Sequence, residues 1–508
     1  MSGLLLYNGK IYTPDGKNKF SSALYCWNDR IVNVGEEKDI SFFSQRGGRE
    51  INLKGSLVLP GFTDCHTHFT EYAVNKYYKY RLNIHESITF EELMELINEK
   101  AGIAPSGEWI TGWGWNKNRW NNILPHKKYL DEISSRHPVA LDSKDGHTLW
   151  CNSMALKIAG MDHPTGILFE NEGRPVRDVI KKPSKEHYKE CVKKAIKEAI
   201  ASGLTGIHIC EGAFEFNIYQ ELFRDGELNL RVTWHFPLDL LEEMISTQIK
   251  SGFGNEYIRI GCVKIFTDGS LGSASACMFE NYEGVNHSGK LLIEEEELCN
   301  IVTKANKEGI SCAIHAIGDK ANNMVLNVYE QVGKFPGIRN RIEHSQILRP
   351  EDIKRFSENH IIASLQPIHI ANDIPLAENY WGKRCSYAYP FASFLRNGVR
   401  VIFGSDVPVE DFNPFKGIYS ASTRKYLNNN EKQSWYPGEC INVEQSVQAY
   451  TVGAAYSSYE ENIKGTIAPG NLADLIILDR NIFDIESEDI LETSVKTTII
   501  SGKMIFEK

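Results

Sequence analysis

Residues Leu59 to His68 read LPGFTDCHTH, a short apolar run that closes on two histidines one residue apart. Side chains of an extended strand alternate between its faces, so His66 and His68 project to the same side while Thr67 points away. Two imidazole nitrogens on one face can serve a single cation. Histidine pairs also occur unliganded on sheet surfaces, so the meaning of this one depends on what the rest of the chain supplies.

Downstream, seven more short apolar strands follow, each succeeded by a helical pattern: LTGIHICE, LRVTWHF, CVKIFTDGS, SCAIHAIGD, RIEHSQ, IIASLQP and VIFGSD. With LVLPGFTDCHTH they make eight β/α repeats, and a (β/α)8 TIM barrel is the leading architecture. The stretch from His68 to Leu204 is far longer than one helix needs, so an inserted subdomain is expected at about 70–190, after the first barrel strand and over the active-site face. Both chain ends read differently. LLLYNGKIYTPDG and ALYCWNDRIVNVG near the start, and GTIAPGNLADLIILD and KTTIISGKMIF near the end, alternate apolar and polar residues between Gly, Asn and Asp turns. Residues 1–56 and 458–508 are therefore expected to pair into one small β-sandwich, leaving 57–457 for the barrel.

Composition agrees with a soluble enzyme. The chain has 508 residues, more than one ordinary core, with 42% hydrophobic and 24% charged residues and a net charge of -10, which gives no reason to expect nucleic acid as a partner. No run long enough to span a membrane appears, and MSGLLLYNGKIY lacks the charged start and long apolar stretch of a signal peptide, so cytoplasmic placement is expected. Eleven cysteines without a C-x-x-C pair suit reduced, buried thiols, with Cys65 able to support the neighbouring histidines. A homodimer is the expected assembly, since two-fold pairs are the commonest soluble oligomers.

In a barrel of this kind the chemistry collects where strands meet the following loops. Five of the eight strand ends carry a candidate ligand: His66 and His68, then Lys264, His315, His344 and Asp406. Each histidine alone reads more simply as a hydrogen-bonded core residue. Four of them at strand ends, completed by an aspartate, point instead to a divalent metal held by nitrogen and oxygen, with Zn²⁺, Mn²⁺, Fe²⁺ and Co²⁺ all compatible. Lys264 has two readings. An ammonium paired with Asp268 or Asp406 is one; a neutral lysine that takes up CO₂ to become a carbamate bridging two metals is the other.

Trp109, Trp113, Trp115 and Trp120 crowd one short stretch, either as the core of the insertion or as the apolar wall of a pocket. Glu294 to Glu297 read as the solvated first turn of a helix. His208, His235 and His369 also fall near strand ends and are pocket candidates.

At this point the chain resembles the metal-dependent amidohydrolase superfamily, most closely the amidohydrolase 3 group with its N-substituted formamide deformylase-like proteins. The resemblance rests on LPGFTDCHTHF, WITGWGWNKNRW, PVALDSKDGHTLWCNSMAL, GLTGIHICEG, VKIFTDGSLGS, HAIGD, RIEHSQ, ASLQP, GSDVPVEDFNPFKGIYSASTR and KGTIAPGNLADLIILD, in that order and over nearly the whole chain. It implies that His66, His68, Lys264, His315, His344 and Asp406 are the metal ligands, with zinc the leading metal at one or two ions per chain and Lys264 carboxylated. His147, in KDGHTLW, is implied as an oxyanion or substrate contact, and Asp145, Trp115 and His369 join it as substrate-binding candidates. The match departs at LGSASA, where Ala274 stands in place of a common arginine; a carboxylate partner is thus missing, and the substrate is recognised by other groups.

The chemistry expected of such a site is hydrolysis of a non-peptide C–N bond in an amide, formamide or cyclic amide. A divalent metal lowers the pKa of bound water from near 16 to about 7, so metal-bound hydroxide is available to attack the carbonyl. Asp406 accepts the water proton and passes it to the leaving nitrogen. Two other functions compete. Deaminases of nitrogen heterocycles use one metal and a glutamate close to the fifth strand, whereas HAIGD supplies Asp319 and would leave Lys264 without a purpose. A non-catalytic scaffold is expected to have lost ligands, and none is missing.

Overall fold

The computed structural model describes the chain except residues 1–2, 15–17, 41, 44–46, 79–80, 85–87, 118–119, 121–122, 145, 147, 182 and 428–432. It divides into two compact units, Met1–His68 with Ile196–Lys508, and Phe69–Ala195.

The first unit is built on eight parallel strands paired in chain order: β1 (Phe62–Thr67), β2 (Leu204–Cys210), β3 (Arg231–Pro237), β4 (Ile258–Phe266), β5 (Ser311–Ala316), β6 (Arg341–His344), β7 (Ile362–Leu365) and β8 (Val401–Phe403). Almost every residue of these strands is buried, which accounts for their continuous apolar runs: a parallel strand is covered on both faces. The ring closes between β8 and β1, where the Asp406 amide donates to the His66 carbonyl at 2.8 Å and the His68 amide to the Val407 carbonyl at 2.7 Å. Gly404 permits that approach. A Cβ at this position would lie 2.6 Å from the His66 nitrogen and 2.8 Å from its Cβ. The chain is thus a (β/α)8 TIM barrel with a small β-sandwich from both ends and an insertion after the first strand.

One boundary differs from the sequence reading. LVLPGFTDCHTH is not one strand: Leu57–Pro60 belongs to an end sheet, and only Phe62–Thr67 enters the barrel. Gly61 is the break. Its amide donates to Asp474 at 2.9 Å, and a side chain there would meet Thr205 at 2.2 Å, so only glycine lets the strand turn from one sheet to the other.

The end sheets use both termini. A six-stranded sheet runs in the order Lys503–Glu507, Val495–Ile500, Leu475–Leu478, Leu57–Pro60, Lys10–Tyr12, Phe20–Ser21, and Ile476 pairs antiparallel with Leu59. A four-stranded sheet holds Arg30–Gly35, Ala23–Trp27, Gly3–Tyr7 and Arg49–Asn52. Leu4, Leu6, Leu24 and Cys26 from the second share one apolar core with Ile11, Val58, Leu475, Ile477 and Ile499 from the first. Each such fully buried aliphatic side chain contributes about 1.5–3 kcal/mol relative to exposure. Arg231, at the start of β3, is buried and forks onto Asp474 beside this sandwich, with a further bond to Ser501 at 3.0 Å.

The second unit has its own five-stranded sheet, ordered Ile167–Phe169, Thr148–Cys151, Val139–Ser143, Ile110–Trp115, Arg81–Asn83. Its helix Phe90–Ile103 begins with a capping box in which the Glu92 amide donates to Thr89 Oγ1 at 3.2 Å and the Thr89 amide to Glu92 Oε2 at 2.8 Å. Two apolar clusters form in this unit, one around Trp115, Trp120 and Trp150, the other around Trp109, Leu149 and Leu156.

Among the described residues no helix is long and apolar enough to cross a membrane. All eleven cysteines are free, nine of them buried.

Candidate metal centre

The carboxyl ends of the barrel strands gather the polar residues that the sequence singled out. His66 is the second-last residue of β1, and His68 follows it directly after the strand. Lys264, His315 and His344 lie within the last three residues of β4, β5 and β6, and Asp406 follows β8. The parallel register places Lys264 opposite Ala313 and Ala316 opposite His344, so neighbouring strands deliver their polar ends to one level.

Asp406 is where they meet. Its Oδ1 lies 3.3 Å from His66 Nε2 and 3.5 Å from His68 Nε2, and its Oδ2 lies 3.8 Å from Nε2 of His369, which sits in the turn after β7. One ligand atom each from His66, His344 and Asp406 fall within 4.8 Å of one another, and all three residues are buried. The rings of His66 and His344 are 4.9 Å apart, and those of His315 and His344 4.4 Å.

The charge states follow from the surroundings. Burial would raise the Asp406 carboxyl, but the hydrogen bond and charge of His66, then His344 and His68, outweigh it and hold the group well below the usual carboxylate range. Asp406 is therefore ionised at neutral pH. Burial lowers His68 to about 4 and His315 to about 3, and takes His344 well below its ordinary value. These three imidazoles are neutral and keep a nitrogen lone pair. For His66, burial and Lys264 press downward, while Glu343 and Asp406 press upward by more, so its pKa is raised.

Two of the candidate ligands occupy strained backbone. His344 has φ 72° and Asp406 φ 62°, both in the left-handed region that side chains with a Cβ adopt at a cost of order 1–3 kcal/mol. Hydrogen bonds across the strand ends hold this geometry: the Asp406 amide reaches the His66 carbonyl, and the Ser345 amide reaches the Ala316 carbonyl at 3.0 Å.

The donor set fits a divalent cation. His344 Nδ1 and Lys264 Nζ are buried without a hydrogen-bond partner among the described residues, an arrangement that is costly unless a further ligand completes it. Lys264 is 3% exposed, and its Nζ lies 4.6 Å from the centre of the Phe266 ring. The pairing with Asp268 or Asp406 considered from the sequence is not formed. Asp268 instead accepts backbone N–H groups of Cys277, Ile317 and Gly318, and burial raises its carboxyl to about 7. His315 Nε2 contacts the Gly269 carbonyl at 3.0 Å and lies outside the three-ligand cluster.

Other expected site residues are placed elsewhere. Trp115 is 3% exposed in the core of the second unit, stacked on Trp120 at 5.6 Å, with its indole N–H donated to the Leu141 carbonyl at 2.8 Å. The pocket-wall reading of Trp115 gives way to the core reading. Asp145 and His147 lie outside the described residues. His208 and His235 are fully buried inside the barrel, with rings 5.5 Å apart, and are not pocket residues. Cys65 directs its thiol into an apolar cluster with Ile362, Ile402 and Ala454, away from the histidines.

The sequence reading missed Glu343 and Arg341. Both are fully buried, and Glu343 Oε2 lies 2.5 Å from His66 Nδ1. Their signal was present in RIEHSQ: two opposite charges at alternate positions of a strand share one face, and a charged pair in a short buried strand has to be partnered. Asp64 was also missed. It ties β1 to β8 by accepting the Ser405 amide at 2.9 Å and the His66 amide at 3.2 Å.

A parallel barrel whose strand ends converge on such a centre defines the class of barrel hydrolases that work with a metal. Residues 49–506 match the model of the amidohydrolase family, and the chain belongs to that family. It is 33% identical to the protein LONG AFTER FAR-RED 3 of Arabidopsis thaliana over 100% of this chain and 92% of that one. It is 23% identical to the N-substituted formamide deformylase of Arthrobacter pascens over 100% of this chain and 99% of that one. Among solved structures, an uncharacterized metal-dependent hydrolase from Pyrococcus horikoshii OT3 superposes with a TM-score of 0.82 at 27% identity, covering 96% of this chain and 99% of its own.

Proposed function

We propose that the chain hydrolyses a non-peptide C–N bond, in an N-substituted formamide, an acylated amine or a cyclic amide. The observation that carries this reading is the meeting of Asp406 with three imidazoles at the strand ends, in a chain of the amidohydrolase family. His66, His68, His344 and Asp406 would hold the metal, with His315 and a carboxylated Lys264 extending the site to a second ion. Zinc is the proposed metal. When bound, it supplies Lewis acidity that polarises a carbonyl and makes water a nucleophile at neutral pH.

The protein's own groups do the rest. Asp406 is ionised and faces the histidine cluster, so its carboxylate takes a proton from the attacking water and returns it to the departing nitrogen, which leaves as a neutral amine. His369, 3.8 Å from Asp406 Oδ2, orients substrate beside that carboxylate. Its Nε2 has no hydrogen-bond partner among the described residues and is free for the task. His147 and Asp145 are proposed as further substrate contacts on the family resemblance. The buried, unpartnered Lys264 Nζ supports carboxylation, since a carbamate would gain two acceptor oxygens where the amine has no partner. A cytosolic homodimer is the proposed setting.

The test is metal content and turnover together. Protein purified in bicarbonate without chelator, as wild type, Asp406→Asn and Lys264→Ala, is assayed for zinc and for release of formate or amine from a panel of N-substituted formamides and acyl amides. Zinc in the wild type with turnover lost in Asp406→Asn supports the reading; ammonia release from nitrogen heterocycles with no amide turnover would replace it with a deaminase. Two ions falling to one or fewer in Lys264→Ala supports the carbamate.

A further inference from the structure

Arg341 and Glu343 are two residues apart on β6 and point into the barrel, both fully buried. The Arg341 guanidinium engages three elements. Its Nε bonds Glu343 Oε1, its Nη2 donates to the Cys65 carbonyl of β1 at 2.7 Å, and its Nη1 lies 3.2 Å from His208 Nδ1 on β2. A guanidinium only donates, so His208 accepts through Nδ1. Glu343 then has one oxygen on Arg341 and the other on His66 Nδ1, 2.5 Å away. A carboxylate only accepts, so the His66 Nδ1 carries its proton toward Glu343 and the opposite nitrogen, Nε2, is the one that faces Asp406.

From this geometry we infer that Glu343 is a positioning residue: it fixes His66 as an Nε2 ligand, and Arg341 holds Glu343 in place from β6 across to β1 and β2. The inference rests on the metal-site reading above. Both neighbours of Glu343 are donors, so an amide in its place presents an N–H₂ to one of them. When the N–H₂ faces His66, the ring turns or moves its proton to Nε2, either of which takes the lone pair off the cation side, or it loses its partner and with it the restraint on its orientation. Outer partners of metal-bound histidines commonly act this way, and their loss weakens metal binding about 10–100-fold.

The experiment compares wild type, Glu343→Gln and, as a control outside the centre, Glu461→Gln, whose carboxylate pairs with Arg339, by zinc affinity against a chromophoric chelator. It adds ¹⁵N-histidine spectra of the zinc-loaded wild type, with His66 assigned by loss of its signals in His66→Asn. The expected result is a loss in zinc affinity of about 10–100-fold for Glu343→Gln only, with His66 showing a protonated Nδ1 and a metal-shifted Nε2. Equal affinity in wild type and Glu343→Gln, or a metal-shifted Nδ1 in the wild type, overturns the inference while leaving the metal site intact. A wild type that takes up no zinc overturns the site reading and this inference with it. The spectrum of the wild type decides the question even where Glu343→Gln fails to fold.

Discussion

His66 and Asp406 are joined twice, once through the backbone, where the Asp406 amide donates to the His66 carbonyl at 2.8 Å, and once through the side chains, where Nε2 and Oδ1 lie 3.3 Å apart. The first contact closes the barrel and the second builds the centre. Any change that opens the seam between β8 and β1 therefore disturbs fold and site at the same place.

Gly404 tests that coupling. A methyl group there would press on the His66 backbone nitrogen and Cβ, and Gly404→Ala is expected to cost about 1–3 kcal/mol by overpacking. Its zinc content should fall even in the folded fraction, measured by elemental analysis after size-exclusion chromatography. Full zinc occupancy in a stable Gly404→Ala protein would show that seam and centre are independent.

The left-handed backbone at Asp406 predicts an inverted order of two inactive variants. Asp406→Gly and Asp406→Ala both lose the carboxylate, but only glycine relaxes at φ 62°, so the glycine variant should be the more stable by about 1 kcal/mol in urea unfolding of the metal-free proteins. At an ordinary position the alanine variant would win.

At the opposite end of β3, the pair of Arg231 and Asp474 is buried, with side chains 3% and 7% exposed. Asp474→Asn leaves the guanidinium without its counter-charge and should destabilise by about 3–5 kcal/mol. Turnover per folded molecule should stay at the wild-type level, because the amino end of a barrel strand serves stability rather than chemistry. Lost turnover with unchanged stability would contradict this assignment.

Acid stability should depend on Glu461. Burial raises its carboxyl, but the Arg339 fork, at 2.7 and 2.8 Å, more than offsets this and lowers the pKa below its ordinary value. A carboxylate depressed in the folded state stabilises fully above the unfolded value of about 4.3 and loses that contribution as pH falls through the folded value. Urea midpoints of the wild type should therefore drop more steeply than those of Glu461→Gln as the pH falls below the unfolded value of about 4.3. Parallel curves would remove Glu461 from the acid response.

Trp115→Ala is expected to cost about 3–5 kcal/mol, as a large buried ring lost from a packed core. Limited proteolysis should then cut first within Phe69–Ala195, the unit that owns this core. A stable variant with altered substrate preference would return Trp115 to the pocket wall.

The barrel was legible because each strand is a short, mostly apolar run, as cover on both faces requires, and several carry a polar residue at or just beyond their carboxyl end. The histidines and Asp406 were legible for the same reason: charge at the end of a buried run stands out. The break at Gly61 was not, since Leu57–Pro60 and Phe62–Thr67 are equally apolar and only the partners of each, one antiparallel and one parallel, tell them apart. Trp115 could not be assigned either, because an indole density fits a core and a pocket alike until its N–H is seen on Leu141. Arg341 and Glu343 were passed over beside His344, although their alternation already placed them on one face. What decided their role was contact with β1, far away in sequence.

The order of the strands also sets the timing of synthesis. His66 and His68 leave the ribosome early, while Asp406 follows roughly 340 residues later, about 17–70 s at ordinary rates of elongation. Until then β1 has no neighbour on its outer edge, and the nascent chain offers imidazoles without the carboxylate they converge upon. Translation must run past the last barrel strand before the centre exists, so a polypeptide terminated before Asp406 holds the imidazoles and lacks the carboxylate they converge upon.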